Sequence, residues 1–440
     1  MNEFLKELLS QSSGLFGTLT FVVLLALALY SLTAFSGYER LWRNTTFWSV
    51  YPSAVPPSWF GQMFYPDKVV PTFETAPTHE TLKVMYGGRV SNVTEEYELS
   101  YRYGGVPNDI KLILKVSYET PPAVVVKVVR PDGEEVKLLQ ASARDLPSTI
   151  SFNNYDEIKN NVYRWASRSD VPVTQLLFTD REGKVLKGNY KIIVNVIGLG
   201  RVNVTSKLIL DGNVYGLMGT DVFGRDVFTF TMIGLPYGLL IGVLTSLIAA
   251  LWGTVYGLVS AYVGGKVDKV MQRLLETWYS IPPLPLLILL AIIYKPSLIV
   301  IILLIAVFSW MGVAKVVRSM VLSIKNEGYV LAAKAAGAGP FWIMFKHVLP
   351  QVMPYTAAQV ALGVPGAILT EVSLDFLGLG DPNVPTWGWM LHDAQVYGAS
   401  VSGYWWWILP PGLMVALVAL SFAMIGHAMD VILNPKLKEV

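Results

Sequence analysis

Uncharged stretches long enough to cross a membrane constrain this chain more than any other feature. Residues 227–265 contain no charged side chain, and an α-helix needs about 20 apolar residues to span a bilayer. The 440-residue chain is 53% hydrophobic and only 15% charged, whereas soluble globular proteins average about 25% charged residues. The sequence therefore predicts a protein that folds in a membrane.

Six stretches are predicted to be transmembrane helices. They are 15–35, 227–265, about 277–294, 298–313, 348–370 and 404 to about 424. The first could be confused with a secretory signal peptide, but the apolar core of a signal peptide runs only about 7–15 residues, so a retained helix is favoured. The expected fold class is an all-α polytopic membrane domain with six transmembrane helices.

Residues 40–215 are rich in charged residues and predict an inserted water-soluble domain. Segments 111–118, 123–129 and 190–197 are rich in β-branched residues, which indicates strands. One helix is expected at 155–166. We expect a mainly β domain, by preference a small β-sandwich, whose strand order does not follow from the sequence. The predicted divisions are residues 1–39, 40–215 and 216–440.

Basic residues predict the orientation in the membrane, because short loops rich in Lys and Arg stay in the cytoplasm. They cluster after the second span, between the fourth and fifth spans and in the C-terminal tail, namely at Lys266, Lys269, Arg273, Lys315, Arg318, Lys325, Lys334, Lys346, Lys436 and Lys438. The alternate loops hold little beyond Lys295. Both termini are therefore expected in the cytoplasm of a multi-pass cell-membrane protein, with 40–215 outside. Glycosylation triplets at Asn44, Asn92 and Asn203 agree weakly.

The segment at about 322–350 predicts two helices joined by a sharp turn on the cytoplasmic side. Residues 325–336 suit a helix, Gly337 can take the left-handed conformation that ends one, and Pro340 is tolerated in the first turn of the next. Leu349-Pro350 is expected to end that second helix. Small alanines on the first helix would let another protein approach closely. From the residues alone, an ordinary loop between two spans remains the alternative.

This segment resembles the coupling motif of permeases in ATP-driven (ABC-type) importers, whose pattern begins Glu-Ala-Ala. The matching positions here are Leu331, Ala332, Ala333, Gly337, Leu349 and Pro350. Leu331 departs from the family's Glu and His347 departs from its Ile. Glu327 lies one helical turn earlier and cannot be assumed to substitute for the missing acid, although it is counted with the expected coupling residues. The resemblance implies a type I importer fold, and it implies that this elbow sits in a groove of a cytoplasmic ATPase subunit.

Two further motifs resemble the dipeptide and oligopeptide permeases within that family. The first is MGTDVFGRD, with its signature residues at Gly219, Thr220, Asp221, Gly224, Arg225 and Asp226. Thr220 or Asp221 could cap a short helix that follows. A plain capped turn is the alternative. The resemblance covers 216–440 closely and 1–39 loosely, and it leaves 40–215 without a recognised relative.

The second motif is EVSLDFLGLG, followed by PTWGWML. It resembles a family segment at the outer end of the fifth span, where Asp375 replaces a Ser. Gly378 and Gly380 permit a sharp turn, and the tryptophans after it suit a membrane interface. Glu371 and Asp375 are expected either as solvated carboxylates at a helix end or as part of the transport pathway.

Several chemistries find no support in the sequence. There is no G-x-x-x-x-G-K-[ST] loop for ATP, there is no cysteine, and the four histidines are far apart. The net charge of +2 makes nucleic acid an improbable partner. We therefore expect no catalytic residue, metal or cofactor in this chain, with ATP and Mg²⁺ bound by partner subunits instead.

The resemblance implies a permease subunit that forms half of a translocation pore and alternates its access between the two sides. Its implied partners are a second permease, two ATPase subunits and an external substrate-binding protein. The cargo stays open among dipeptides, oligopeptides, nickel and sugars, with peptides preferred. Two other classes remain, namely a secondary transporter, which needs acids inside its spans, and a receptor acting through the external domain.

Overall fold

A computed structural model describes residues 2–85, 89–294 and 297–433. The predicted Lys295-Pro296 turn and the C-terminal Lys436 and Lys438 lie outside the described residues. The chain forms two compact units, one from Met1–Arg43 with Thr229–Val440 and the other from Asn44–Phe228.

Two helices open the chain, α1 (Asn2–Ser10) and α2 (Ser12–Ala34). The second contains 23 residues with a mean hydropathy of 2.2. At a rise of 1.5 Å per residue, it is long enough to cross the hydrocarbon core of a bilayer.

The unit Asn44–Phe228 is built mainly from strands. Its helices are α3 (Thr45–Trp48), α4 (Ser58–Phe64), α5 (Asp156–Ala166) and α6 (Val173–Phe178). Its strands are β1 (Phe73–Thr75), β2 (His79–Met85), β3 (Val90–Tyr101), β4 (Asp109–Tyr118), β5 (Ala123–Val129), β6 (Glu135–Ser142), β7 (Thr149–Ser151), β8 (Gly188–Leu199) and β9 (Val202–Asp211).

The strands form two antiparallel sheets around one core, so a β-sandwich is confirmed. One sheet has the order β1-β9-β4-β7 and the other β2-β3-β8-β5-β6. Tyr97 and Val194 from the second sheet share a hydrophobic cluster with Leu112 and Leu208 from the first. The three predicted strands and the predicted helix at 155–166 are present.

The other unit continues with helices. They are α7 (Val227–Val263), α8 (Gly265–Tyr279), α9 (Pro283–Ile293), α10 (Leu298–Ser309), α11 (Met311–Ile324), α12 (Gly328–Ala335), α13 (Pro340–Ile343), α14 (Leu349–Phe376), α15 (Trp387–Val396) and α16 (Trp405–Leu433). A π-helical turn at Met344–Val348 joins α13 to α14, so that Pro340–Phe376 runs as one helix.

Among the described residues, four helices are long and apolar enough to cross a membrane, namely α2, α7, Pro340–Phe376 and α16. The third and fourth predicted spans are instead bent pairs: α8 and α9 meet at 81°, and α10 and α11 at 42°. Pro282 and Pro283 break the first pair, because proline has no N–H to donate to a helical carbonyl. The count is therefore six only if each bent pair is one span, and six straight spans are not confirmed.

Close packing of small residues holds α2 against α16. A side chain at Gly17 would meet the backbone oxygen of Ser421 at 2.8 Å. The Ser421 hydroxyl also donates a hydrogen bond to the Gly17 oxygen over 2.9 Å. Such small-residue contacts with an added hydrogen bond are typical of helix pairs in membranes.

Candidate functional sites

The predicted elbow begins at Glu327, which precedes the first residue of α12. Gly337 has φ +83°, the left-handed conformation expected of a turn, and Pro340 starts α13. The expected helix end at Leu349-Pro350 is wrong, because the helix continues to Phe376. The π-helical turn just before Pro350 changes the hydrogen-bonding pattern where this proline lacks an N–H, so the helix can continue.

One face of the elbow is anchored in the helical unit. Val330, Ile343 and Val348 are at most 3% exposed. They share a hydrophobic cluster with residues of α7 and α11. The elbow is thus coupled by direct packing to α7 and α11, and movement of the elbow requires repacking against these helices.

A polar cluster ties α8 to α11 beside the elbow. Arg318 donates two hydrogen bonds of 2.7 Å to Asp268, and Ser260 donates a third over 2.6 Å. Lys325 donates to the backbone oxygen of Ala261 over 2.8 Å. This role was not predicted from the sequence, because Arg318 and Lys325 were considered only as basic residues that indicate the cytoplasmic side. The alternation of these two basic residues with apolar residues along α11 could have indicated this role.

The other side of the elbow exposes large apolar side chains, which we call the elbow surface. Its members are exposed by 45% to 74%: Tyr329, Leu331, Phe341, Trp342 and Phe345. The predicted motif residue Ala332 is also exposed, whereas Ala333 is half-buried. His347 lies with its ring 5.0 Å from that of Trp342. A segment held firmly on one side and apolar on the other is suited to docking.

The signature MGTDVFGRD forms a tight turn in the β unit. Asp221 accepts backbone hydrogen bonds of 2.9 Å from Phe223 and Arg225, and its carboxylate lies 2.5 Å from the Arg225 guanidinium. Burial raises the pKa of the Asp221 carboxyl, and Arg225 opposes that shift. Gly224 supplies a φ of +83°.

The short helix expected after Thr220 or Asp221 is absent, since Asp221 caps the turn itself. The Thr220 hydroxyl instead donates to the Pro52 oxygen over 2.7 Å and accepts from the Val55 amide. Asp226 then accepts from the Phe228 amide at the start of α7. This geometry is that of the plain capped turn. Asp221 and Arg225 therefore have a structural role within it.

Glu371 and Asp375 lie one helical turn apart on α14 and are only 2% and 1% exposed. The expectation of solvated carboxylates is therefore wrong. The Thr386 hydroxyl donates a hydrogen bond to Asp375. One oxygen of each acid has no hydrogen-bond partner in the part of the chain that is described.

Three glycines let the chain close over these acids. Gly378 has φ +78° and forms the turn after α14. A side chain at Gly380 or Gly388 would collide with Asp375. Gly380 is thus needed for close approach, whereas the expected role was backbone freedom in a sharp turn.

The two tryptophans after this turn are buried, so their expected place at a membrane interface is wrong. Trp387 is 2% and Trp389 8% exposed. The Trp387 indole donates to the Thr231 oxygen over 2.9 Å, and its ring packs on Gly234 and Gly238 of α7. The position of Trp387 therefore depends on these two glycines, which we call the glycine notch and which lie more than a hundred residues away in the sequence.

Comparisons with known proteins identify relatives of part of this chain. Residues 253–439 match the family described as the binding-protein-dependent transport system inner membrane component. The dipeptide transport system permease protein DppC of Bacillus subtilis is 41% identical over 221 residues, which cover 50% of this chain and 68% of that protein.

Two other relatives align over a similar length. The oligopeptide transport system permease protein OppC of Bacillus subtilis is 33% identical over 222 residues, covering 50% of this chain and 72% of its own. DppC of Escherichia coli is 35% identical over 229 residues, covering 52% and 75%. About half of this chain lies outside each of these alignments.

Proposed function

This chain belongs to the family of dipeptide and oligopeptide transport permeases, and from that premise we propose how it works in an ATP-driven importer. It forms half of the translocation pore with a second permease subunit. Two cytoplasmic ATPase subunits bind ATP and Mg²⁺ and drive the pore, and an external binding protein delivers the substrate. The substrates are dipeptides or oligopeptides, as in the names of its relatives. The chain itself carries out no catalysis.

The elbow surface is the observation that carries the ATPase contact. Its aromatic and aliphatic side chains are exposed by 45% to 74%, although apolar groups of this size are favoured inside proteins or interfaces. The same segment packs on α7 and α11 through Val330 and Ile343. A push on the elbow therefore reaches α7 and α11. This contact can bias two pore states only if the ATPase binds the elbow differently in each state.

The proposed orientation places the elbow in the cytoplasm together with both termini. The basic residues Lys315, Lys325, Lys334 and Lys346 near the elbow support it, because such residues are retained on that side. Residues 40–215 then lie outside the cell. A cysteine introduced at exposed Lys334, in a chain that has no cysteine of its own, would react with an impermeant thiol reagent only after the cells are opened.

Substitution of Ala335 by Arg tests the coupling. Ala335 is exposed on α12, so the larger side chain leaves the anchored face intact and obstructs only a docked partner. We expect co-purification of the ATPase subunits to fall at least about tenfold, since introducing an unpaired charge into a docked apolar surface costs several kcal/mol. Transport in cells should fall with it.

The matched control is Val401→Arg, which adds the same charge at a position 92% exposed and far from the elbow in sequence. This variant should retain its ATPase subunits. Normal ATPase recovery and transport with Ala335→Arg would contradict the proposed docking site.

The buried acids keep one rival function open to test. A secondary transporter needs ionisable groups inside its membrane segments, and Glu371 and Asp375 are buried on α14. Family membership favours ATP as the energy source. Transport that survives an inactivating change in the ATPase, yet stops when the ion gradient is collapsed, would establish the rival. We expect the reverse result.

A further inference from the structure

A cavity of about 500 Å³ lies within the β unit, away from every motif that the family shares. Its wall combines the β5–β6 turn, the end of α5, the helix α6 and the turn that follows α6. The principal lining side chains are Arg130, Glu134, Trp165, Arg168, Asp180 and Arg181. This volume falls in the range of small-molecule sites, about 300–1,000 Å³.

Arg130 forms the rigid part of the wall. Its guanidinium lies over the Trp165 ring at 4.9 Å, donates to the Thr179 oxygen over 2.8 Å and pairs with Glu134 at 3.2 Å. The Arg130 side chain is only 5% exposed. These contacts fix the indole, because a stacked guanidinium held by several hydrogen bonds has few alternative rotamers. The ring is thus preorganised beside the cavity.

The other two arginines remain available to a ligand. Arg181 is exposed and makes no ion pair or hydrogen bond with any residue that the structure describes. Arg168 pairs with Asp170 through bonds of 2.6 and 3.0 Å, but both side chains are more than half exposed. Exposed ion pairs contribute about 0–1 kcal/mol, so a ligand carboxylate can replace Asp170.

The charge balance of the cavity selects the class of ligand. Three arginines face two acids, Glu134 and Asp180, and Asp180 already accepts amide hydrogen bonds from Glu182 and Lys184. A multiply charged anion would meet these acids at close range. A molecule with one carboxylate and one ammonium group meets complementary charges at both ends, and Leu176 and Trp165 offer apolar contact between them.

We propose that this cavity binds a small zwitterion, such as a free amino acid or a short peptide, with its carboxylate on Arg181 and Arg168. The site goes beyond the proposed transport function, because it lies in the β unit and needs neither ATPase nor partner permease. A guanidinium is suited to this task, since it binds a carboxylate through two parallel hydrogen bonds.

Calorimetric titration of the purified full chain with trialanine tests the site. Binding should weaken about tenfold for the Arg181→Gln variant, which removes one charge-assisted contact with the carboxylate. Trialanine amide, which has no carboxylate, should bind the unchanged chain at least as weakly as trialanine binds this variant. When both Arg181 and Arg168 are replaced by Gln, the acid and the amide should bind alike.

The matched control is Arg164→Gln. Arg164 is an exposed arginine on α5, about one turn before Arg168, and it does not line the cavity. It should bind trialanine like the unchanged chain. Three results would overturn the proposal: no binding of trialanine, binding unaffected by replacing both Arg181 and Arg168, or displacement by inorganic phosphate at equal concentration. The last would indicate a general anion site. Recovery of ATPase subunits by the same variants, expected to be normal, tests the transport proposal separately.

Discussion

The two units of this protein bury charge in opposite ways. In the β unit, Asp211 is 2% exposed and lies 2.5 Å from Lys111, which is 10% exposed at its side chain. In the helical unit, Glu371 is buried against a second acid, Asp375, and the donor to that acid is a neutral hydroxyl. A buried acid with a cation stabilises one fold, whereas two adjoining buried acids are costly unless they share a proton or a bound cation.

The difference separates structural charge from charge suited to function. Lys111 also donates to the Tyr51 oxygen over 2.8 Å, and Asp109 nearby accepts from Ser151 and from the Asn153 amide. These contacts connect strands with the segment before them. The acid pair on α14 forms no ion pair with any residue that the structure describes, although each of its acids, like Asp211, keeps one oxygen without a described hydrogen-bond partner. Acids of this kind inside membrane segments mark pathways more often than scaffolds.

Replacing Lys111 by Met should give the largest loss of stability. The aliphatic part of the side chain is kept, but at pH 8, above the pKa of about 7 to which burial raises Asp211, its carboxylate is left buried without its cation. Removing one partner of a buried ion pair typically costs about 3–5 kcal/mol. The free energy of unfolding of the β unit can be measured on the full chain by brief proteolysis in increasing urea.

The control for this change is Lys115→Met on the same strand. Lys115 is exposed, so the free energy of unfolding should change by no more than about 0.5 kcal/mol. Equal losses for the two variants would mean that the ion pair contributes nothing specific. The contrast between the two units would then lose its support in the β unit.

A substitution at Gly234 should lower the stability of the helical unit, and by less than Lys111→Met lowers the stability of the β unit. Alanine there would place its Cβ 2.7 Å from two atoms of the Trp387 ring. Such overpacking costs about 1–3 kcal/mol. The thermal midpoint of the purified chain, followed by size-exclusion chromatography after heating, should fall.

Gly366→Ala is the matched control, because nothing lies within 4 Å of the added atom. A helical glycine replaced without a clash gains about 0.5–1 kcal/mol, so the midpoint should stay or rise. A fall of equal size at both glycines would mean that the loss at Gly234 does not come from the clash with Trp387. The notch for Trp387 would then lose its importance.

Sequence reasoning succeeded where the signal is local. Gly337 takes the left-handed turn that its neighbours require, and the apolar strands β4, β5 and β8 lie where β-branched residues predicted them. Strand β3, which contains Glu95, Glu96 and Glu98, was not among the predicted strands. Its alternate residues are nevertheless buried. Glu95 itself lies inside the sandwich, where Ser206 donates to it.

Long-range packing decided what the sequence could not predict. The burial of Trp387 depends on glycines of α7, and that of Asp375 on the turn and helix that close over it. Hydropathy also could not locate the 81° bend between α8 and α9. Apolar residues continue past the proline pair, so composition indicated a membrane segment but not its direction. No sequence motif indicated the cavity in the β unit.

The smallest predicted effect is a pH dependence confined to the β unit. Burial raises the pKa of Asp211 to about 7, and Asp109 adds to the shift while Lys111 opposes it. Because the folded state then binds the proton more tightly than the unfolded chain, this stabilisation is complete below about pH 4 and is lost as the pH rises through about 7. We expect the free energy of unfolding to fall by about 1–1.5 kcal/mol between pH 6 and pH 8.

Asp211→Asn isolates that contribution from those of Asp109 and Glu95, whose pKa values burial also raises. The variant should flatten the profile by the amount assigned to Asp211, while Asp156→Asn, at a side chain 92% exposed, should leave it unchanged. A profile that rises with pH would mean that Lys111 outweighs burial and that Asp211 folds as a carboxylate. In that case the paired acid of the β unit would differ from the acids of α14 in charge as well as in surroundings.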